Sequence, residues 1–120
     1  MTNPRKKKFH LSASEIKSLA PGHGGCIASD MITVDGRHVG FMYREEEDFE
    51  GDSGWRFMSG YESAEYSDDP SNLAVYDVNT IANYDPKIIP YLERPVGSAF
   101  ERGNIDEEFR KVLDFDPQED

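Results

Sequence analysis

Two runs rich in β-branched, aromatic and other apolar side chains flank an Asp-Gly pair in the first half of the chain. The runs cover residues 26–34 and 37–44, and Asp35-Gly36 lies between them. This pattern is typical of a hairpin with a two-residue type I′ turn, because glycine readily adopts the positive φ that the turn needs. The register of such a turn pairs Ile32 with Val39 and predicts an N-terminal hairpin with one core face. That face contains Ala28, Ile32, Val34, Val39, Phe41 and Tyr43.

Three later segments also have strand character. Residues 53–60 alternate between the two sides of a strand, which places Trp55 and Phe57 on one side. The other side holds Arg56 and Met58. Residues 73–78 and 96–101 are two further strand candidates, so the chain contains enough strands for a small sheet.

A helix is predicted near the N-terminus. Ser12 is a suitable N-cap, and Glu15 completes a capping box three residues later. The helix is expected to end by Ala20, because Pro21-Gly22 follows and does not favour its continuation.

Short helical turns and a last helix are predicted in the C-terminal half. Asn79 is a candidate cap for one turn, and Asp85-Pro86 starts another with proline at the first helical position. Asp106 is the expected cap of a C-terminal helix. The apolar face of that helix holds Phe109, Val112 and Leu113. The predicted fold class is therefore α+β, with a small, mostly antiparallel β-sheet flanked by these helices.

The chain of 120 residues has the length of one domain. Residues 9–113 are predicted to form a single α+β domain. Residues 1–8 contain the basic cluster at 5–8 and are expected to be a disordered arm. Residues 114–120 are expected to be a frayed acidic tail.

The net charge of the chain is −11, and the charge is unevenly distributed. Without the basic cluster at residues 5–8, nine basic residues remain against 24 acidic ones, a net charge of −15. A body with this charge repels nucleic acid and anionic membranes and attracts a basic protein surface. The composition therefore favours a protein partner over nucleic acid or a membrane.

Cys26 is the only cysteine, so no disulfide can form within the chain. This usage fits a reducing compartment. No apolar run reaches the length that spans a bilayer, and the basic cluster at residues 5–8 is not followed by the continuous apolar stretch of a signal peptide. A cytoplasmic location is expected.

Two short motifs imitate functional sites, but neither is complete. Gly51-Asp52-Ser53-Gly54 is similar to the nucleophile segment of trypsin-like proteases, yet Trp55 stands where that motif has glycine. Asp48, Glu50 and Asp52 have the spacing of calcium ligands, but the glycine and the bidentate glutamate of a calcium loop are missing. The sequence predicts no catalytic residues, no metal ligands and no cofactor.

Two acidic segments, at residues 45–52 and 62–69, are the candidate partner-binding surface. Tyr61 and Tyr66 lie beside the acids of the second segment, and tyrosine beside carboxylates suits a surface that holds the arginine and lysine side chains of a partner. The alternative is an ordinary solvated surface. The candidate residues are Glu45, Glu46, Glu47, Asp48, Asp52, Tyr61, Glu62, Glu65, Tyr66, Asp68 and Asp69.

A possible polar pocket is the second candidate site. Asn83, Asp85 and Arg102 are the residues that would line it. In the alternative interpretation, Asn79 and Asp85 simply cap short helices.

Five segments between residues 25 and 102 form a specific pattern. They are residues 25–30 (GCIASD), 39–46 (VGFMYREE), 52–57 (DSGWRF), 79–86 (NTIANYDP) and 95–101 (PVGSAFE). In order and spacing they resemble the bacterial immunity protein 33 family, which has long been catalogued as a domain of unknown function.

The resemblance implies a small intracellular bacterial protein that neutralises a cognate toxin of a polymorphic-toxin or contact-dependent system. It implies no catalytic residues. The expected function is that of a non-catalytic, acidic immunity protein that binds and occludes a basic toxin domain. The alternatives are a regulatory or adaptor domain that binds another protein and, third, a small ligand-binding domain or enzyme.

Overall fold

Six strands form one mixed sheet in the computed structural model, which describes residues 7–113. The strands are β1 (Gly25–Ser29), β2 (Phe41–Arg44), β3 (Asp52–Met58), β4 (Leu73–Asp77), β5 (Ala99–Glu101) and β6 (Arg110–Lys111). Their order across the sheet is β4-β1-β3-β2-β5-β6. Among the described strands, β1 and β3 pair in parallel and the other four pairs are antiparallel. The α+β class and the mostly antiparallel sheet are confirmed.

Short helices connect the strands. The α-helices are α1 (Asp30–Thr33), α2 (Ala64–Asp68) and α3 (Val78–Tyr84), and the 3₁₀ turns are Ala13–Glu15, Pro70–Asn72 and Pro86–Tyr91. Each α-helix begins where a side chain accepts a hydrogen bond from its first turn, at Ser29, Ser63 and Asp77. The turn predicted at Asp85-Pro86 is present, with Asp85 as its cap.

The core lies between α3 and one face of the sheet. Cys26 and Ala28 of β1 are buried there beside Trp55 and Phe57 of β3. The side chains that α3 buries against them are Val78, Ile81, Ala82 and Tyr84. The rings of Trp55 and Phe57 are stacked with centroids 6.0 Å apart, and Trp55 Nε1 donates to Leu92 O at 3.0 Å. We call this side of the sheet the core face.

The opposite side of the sheet, which we call the open face, follows from the alternation of side chains along each strand. It carries Ile27, Phe41, Tyr43, Arg56, Met58, Val75 and Glu101. Of the predicted hairpin core, Ala28, Ile32 and Val39 are buried, as the sequence predicted. Phe41 and Tyr43 are instead half-buried on the open face, because Met42 takes the core position of β2.

The N-terminal hairpin predicted at Asp35-Gly36 is not confirmed. Residues 30–33 form α1 instead of a strand, because the Ser29 hydroxyl accepts a hydrogen bond from Met31 N at 3.1 Å and caps a helix there. Gly36 has a φ of 81°, but it uses that conformation to close α1, with its N–H donating to Ile32 O at 3.0 Å. The strand β1 then pairs with β3 and β4.

The N-terminal helix predicted to end by Ala20 is not confirmed beyond one 3₁₀ turn. The capping box of Ser12 and Glu15 is present. After that turn, Asn79 Oδ1 in α3 accepts hydrogen bonds from the N–H groups of Leu19 and Ala20, both at 2.7 Å. These side-chain bonds take the place of the backbone bonds of a helix and hold the segment against α3.

The C-terminal helix predicted from Asp106 is not confirmed either. Arg110–Lys111 forms β6 and pairs with β5, and Val112 N donates to Ala99 O at 2.9 Å. The side chain of Asn104 accepts a hydrogen bond from Asp106 N at 2.8 Å. This local bond favours a turn over a helix.

The predicted arm and tail fall mostly outside the described residues. Residues 1–6 of the arm and residues 114–120 of the tail lie outside them. Within the described chain, Lys7 Nζ lies 2.9 Å from Asp30 Oδ1. The single domain at residues 9–113 stays a prediction.

Replacing Tyr84 by phenylalanine is expected to destabilise the fold. The Tyr84 hydroxyl donates to Thr33 O at 2.9 Å and accepts from Leu11 N at 3.0 Å, so it joins α3, α1 and the N-terminal segment. Loss of both bonds is expected to lower the free energy of unfolding by about 1–3 kcal/mol. Urea denaturation measures this difference. Tyr61→Phe, at an exposed tyrosine, is the control, and equal stability of Tyr84→Phe and the parent protein would contradict the prediction.

Candidate functional site

A buried arginine anchors the first acidic segment to the open face. Arg56 lies in β3 and its side chain is only 2% exposed. Its Nη1 and Nη2 donate to Asp52 Oδ1 and Oδ2 at 3.0 and 2.8 Å, and its Nε donates to Glu45 Oε2 at 2.6 Å. A buried charge needs such partners, so this guanidinium determines where the segment at residues 45–52 lies.

Asp52 accepts hydrogen bonds both from Arg56 and from backbone N–H groups. Burial alone would raise the pKa of Asp52, but hydrogen bonds from Arg56, Gly54 N and Asp48 N outweigh burial and hold the pKa below its ordinary value of 3.8. Burial alone would lower the pKa of Arg56, but the bonds to Asp52 and Glu45 produce a net rise. Asp52 and Arg56 are therefore both charged at neutral pH.

Phe49 packs the first acidic segment against the sheet. The carbon of the Arg56 guanidinium lies 6.0 Å from the centroid of the Phe49 ring. The same ring approaches β1 at Gly25, where a Cβ atom would lie only 3.0 Å from Phe49 Cε1. The remaining acidic side chains of the segment are exposed, namely Glu46, Glu47, Asp48 and Glu50.

Glu62 fixes the start of the second acidic segment by accepting hydrogen bonds from Ser59 and Gly60. Glu62 Oε2 accepts from Ser59 N and Ser59 Oγ, both at 2.8 Å, and Glu62 Oε1 accepts from Gly60 N at 3.0 Å. Burial alone would raise the pKa of Glu62, but hydrogen bonds with Ser29 and Ser59 hold it below its ordinary value of 4.5. Since Ser29 is in β1 and Met58 precedes the segment in β3, the second segment is held at the open face.

A groove of about 570 Å³ runs over the open face between these elements. Its floor consists of Phe41, Tyr43 and Met58. The second acidic segment forms one wall with Glu62 and Ser67, and the strands β5 and β6 contribute the opposite wall. The first segment lies at the Tyr43 end of β2, because β2 leads directly into it. The second acidic segment therefore borders this apolar floor.

The structure divides the eleven candidate partner-binding residues into an internal and an exposed group. The internal carboxylates are Glu45, Asp52 and Glu62, which bind Arg56 or the Ser59-Gly60 turn. The exposed group contains Glu46, Glu47, Asp48, Tyr61, Glu65, Asp68 and Asp69, and Tyr66 is half-buried. Tyr61 is 65% exposed, and the guanidinium carbon of Arg37 lies 4.6 Å from its ring centroid.

Of the three pocket candidates, Asp85 and Arg102 lie together and Asn83 lies elsewhere. Asp85 and Arg102 form a buried ion pair. Asp85 Oδ2 also accepts from Val39 N, and Arg102 Nε donates to Val39 O, both at 3.0 Å. Asn83 instead binds the backbone of Lys17. The pair is satisfied inside the protein and fixes the backbone beside the groove.

Neither the serine of the protease-like motif nor the single cysteine is placed as a nucleophile. Ser53 Oγ donates to Gly25 O at 2.6 Å. Cys26 is buried, and this burial raises the pKa of its thiol, which disfavours the thiolate. Within residues 7–113, no group of three or more His, Cys, Asp or Glu side chains is placed to hold a metal ion. In the same part of the chain, no helix is long and apolar enough to cross a membrane.

The floor of the groove is the part of the site that sequence reasoning missed. The alternation in β3 separates Met58 from Trp55 and Phe57, but the predicted hairpin register assigned Phe41 and Tyr43 to the core. The signal that could have identified them is Met42. If Met42 is taken as the core residue of β2, both aromatic neighbours fall on the opposite face.

Comparison with known families identifies the chain. The family model described as "Immunity protein Imm33 domain" matches residues 26–113, which is more than half of the chain. The chain belongs to the Imm33 immunity protein family, as the resemblance of its five segments indicated. The matched region contains the sheet except Gly25, the first residue of β1, and it contains both acidic segments and the groove. No curated protein and no solved structure matches the chain.

Acidification is expected to destabilise the fold through Glu62 and Asp52. Their folded-state pKa values lie below the ordinary values of 4.5 and 3.8, so their contribution is present above those values and is lost as the pH falls through the folded-state values. The free energy of unfolding, measured by urea denaturation between neutral pH and about pH 3, should decline below about pH 4.5. Glu62→Gln should make this decline shallower.

Glu65→Gln, which alters an exposed carboxylate of α2, is the control and should reproduce the parent profile. Identical profiles for Glu62→Gln and the parent protein would show that Glu62 does not contribute to the acid sensitivity.

Proposed function

We propose that this Imm33-family protein is a non-catalytic immunity protein that neutralises a cognate bacterial toxin by binding and occluding it. The family match supports an immunity role. The observation that carries the binding mechanism is the group of exposed acids on the two acidic segments, with no basic residue among them. These acids are Glu46, Glu47, Asp48, Glu50, Glu65, Asp68 and Asp69. Neither residues 45–52 nor residues 59–72 contain a Lys, Arg or His.

The partner that this surface fits is a basic toxin domain. Toxins that cleave nucleic acid have basic surfaces because their substrate is polyanionic. Complementary charge increases the rate of encounter, while a few buried aromatic contacts set the rate of dissociation. The same negative charge opposes nucleic acid and anionic membranes as partners. The proposal places this encounter in the cytoplasm, a reducing compartment that suits the unpaired thiol of Cys26.

The acidic surface also suits a regulatory or adaptor domain that binds a basic housekeeping protein. Both functions require binding, but immunity additionally requires that the partner is toxic and that binding removes the toxicity. An enzymatic or ligand-binding role has less support, because the candidate polar side chains Asp85 and Arg102 are paired with each other.

Affinity capture followed by a growth assay tests the proposal. The tagged protein is incubated with lysate of its source cells at low salt, and partners eluted at high salt are identified. A basic polypeptide bound one to one, which stops growth when expressed alone and no longer does so with this protein, is the expected result. A non-toxic housekeeping partner, or a toxin whose effect persists on co-expression, would contradict the immunity function.

Charge reversal on the first acidic segment is expected to slow association with the captured partner. Glu46→Lys combined with Glu47→Lys changes the charge by four units and should lower the association rate constant roughly tenfold at low salt. The effect should shrink at high salt, because salt screens exposed charges. Surface plasmon resonance at two salt concentrations measures both rates.

The matched control is Asp106→Lys combined with Glu108→Lys. It makes the same change of charge on exposed residues that precede β6. Equal slowing by both double variants would show that net charge, and not the first acidic segment, governs the encounter.

A further inference from the structure

The two edges of the sheet differ in how far they are open to another chain. The edge strand β6 has two residues, Arg110 and Lys111, and both are exposed and basic. Such a short, charged edge resists pairing with another strand. The opposite edge strand, β4, has five residues that pair with β1 in an unbroken register. It contains no lysine, arginine, proline or bulge, so it lacks these protective features.

The register of β4 shows which of its backbone groups face outward. In an antiparallel pair, residues bonded to the partner strand alternate with residues whose N–H and C=O point to the other side. Val78 N donates to Gly24 O at 2.9 Å, and the pairing of β1 with β4 continues in register from these two residues. Ala74 and Tyr76 therefore bond to β1, whereas the N–H and C=O of Val75 point away from it.

The outward groups form a row that no other described element covers. Within residues 7–113, no hydrogen bond is made by the N–H or C=O of Val75, by the N–H of Asp77 or by the C=O of Leu73. The Leu73 N–H is used by the preceding 3₁₀ turn, because it donates to Pro70 O. The remaining row alternates acceptors and donors along the edge, which is the pattern that an added strand requires.

The side chains of β4 suit an added strand as well. Val75 is 57% exposed on the open face, where it lies opposite the half-buried Ile27 of β1. An apolar side chain of an added strand would pack beside Val75, and such cross-strand pairs stabilise a sheet. On the core face, the Tyr76 hydroxyl lies 3.0 Å from Thr33 Oγ1. The edge is therefore held in place before a partner arrives, which reduces the entropic cost of association.

Charge distinguishes between the possible partners of this edge. The second acidic segment leads through the 3₁₀ turn at Pro70–Asn72 directly into β4. The exposed Glu65 and Asp68 precede the strand, and the exposed Asp77 ends it. The elements with the main contacts to β4 are β1, α3 and this turn, and none of them contains a basic residue. A second copy of the chain would bring another net charge of −11 to this edge, whereas a basic segment brings the opposite charge.

We propose that the toxin binds by adding an extended segment to the sheet as a strand beside β4. This inference rests on the proposed function and extends it from a net charge to a defined edge. The backbone of the toxin segment bonds to the outward groups of Leu73, Val75 and Asp77, and one of its apolar side chains packs beside Val75. Its arginine or lysine side chains meet the exposed carboxylates of Asp68 and Asp77.

Amide hydrogen exchange tests the added strand in the unaltered protein. In the free protein, the Val75 N–H should exchange at least about tenfold faster than those of Ala74 and Tyr76, because only the latter two are bonded to β1. Saturation with the captured toxin should slow exchange at Val75 and Asp77 at least about tenfold. A Val75 N–H that is already protected in the free protein, or exchange at both residues that the toxin leaves unchanged, would overturn the proposal.

Two synthetic peptides test the edge without the toxin. Both alternate valine with threonine between terminal arginines, and one has N-methyl groups on two adjacent central residues, which block both of its edges. The peptides have the same charge and nearly the same side-chain surface. The unmethylated peptide should bind at least about tenfold more tightly and slow exchange at Val75, because only it can form the backbone bonds. Equal affinities, or NMR shift changes centred away from β4, would overturn the proposal.

Proline at the centre of the edge is expected to block the added strand. Val75→Pro removes the outward N–H and leaves the bonds of Ala74 and Tyr76 to β1, since an edge strand tolerates proline where its N–H faces away from the sheet. It should weaken binding of the toxin and of the unmethylated peptide at least about tenfold. Val75→Ile, which keeps the N–H and an apolar β-branched side chain, is the matched control and should stay within about threefold.

Urea denaturation shows whether each variant is folded. Unchanged affinities in folded Val75→Pro would overturn the proposal. If Val75→Pro does not fold, the hydrogen-exchange experiment on the parent protein decides the question.

Other occupants of the edge give different results with the same proteins. A dimer in sedimentation experiments that Val75→Pro dissociates would assign the edge to a second copy of the chain. A chain that starts at Lys7 and binds the unmethylated peptide more than about tenfold more tightly would assign the edge to the chain's own first residues. Either result would overturn the proposal.

The growth assay separates this inference from the proposed function. Rescue by the parent protein and by Val75→Ile, with weakened rescue and toxin binding in Val75→Pro, supports both. Full rescue and unchanged toxin affinity in folded Val75→Pro would show that the toxin binds elsewhere while the immunity function holds. Absence of rescue by the parent protein, together with the expected peptide results, would reject the immunity function and leave β4 as a site for an extended segment of another protein.

Discussion

The ion-pair cluster around Arg56 is the interaction on which the arrangement of the open face depends. A guanidinium on β3 is almost completely removed from solvent, and it is stable there because Asp52 and Glu45 supply carboxylates at hydrogen-bond distance. Both carboxylates belong to the segment at residues 45–52, so satisfying the buried charge also folds that segment back over the sheet. Loss of one carboxylate would leave the guanidinium only partly compensated in the interior, which explains why an acidic segment of this composition has a defined position.

The alternation of side chains along the β-strands separates core residues from groove residues in this sheet. On the core face, Met42, Trp55 and Phe57 are buried in the same core cluster as side chains of α3. On the open face, the neighbouring Phe41, Tyr43 and Met58 line the groove. The parallel pairing of β1 with β3 brings residues 25–29 and 52–58 together, and β2 pairs with β3 on its other side.

Features that depend on local chemistry could be predicted from the sequence, and features that depend on distant pairing could not. The capping box at Ser12 and Glu15, the turn capped by Asp85 and the alternation around Trp55 all follow from neighbouring residues, and all are present. The hairpin at Asp35-Gly36 is absent because Ser29 caps a helix in the first run, a local signal that competes with the turn signal. The N-terminal helix is replaced because Asn79, some sixty residues away, binds its backbone.

The candidate site also depends on distant pairing. Net charge alone therefore does not show which carboxylates are available to a partner. The sequence shows two acidic segments but not where they lie, since the first leads into β3 and the second follows it at the opposite end of the strand. Nor does it distinguish Asp52 and Glu62, which satisfy internal donors, from Glu46 and Glu65, which face solvent. Part of the negative charge therefore stabilises the fold and only the rest is available to a partner.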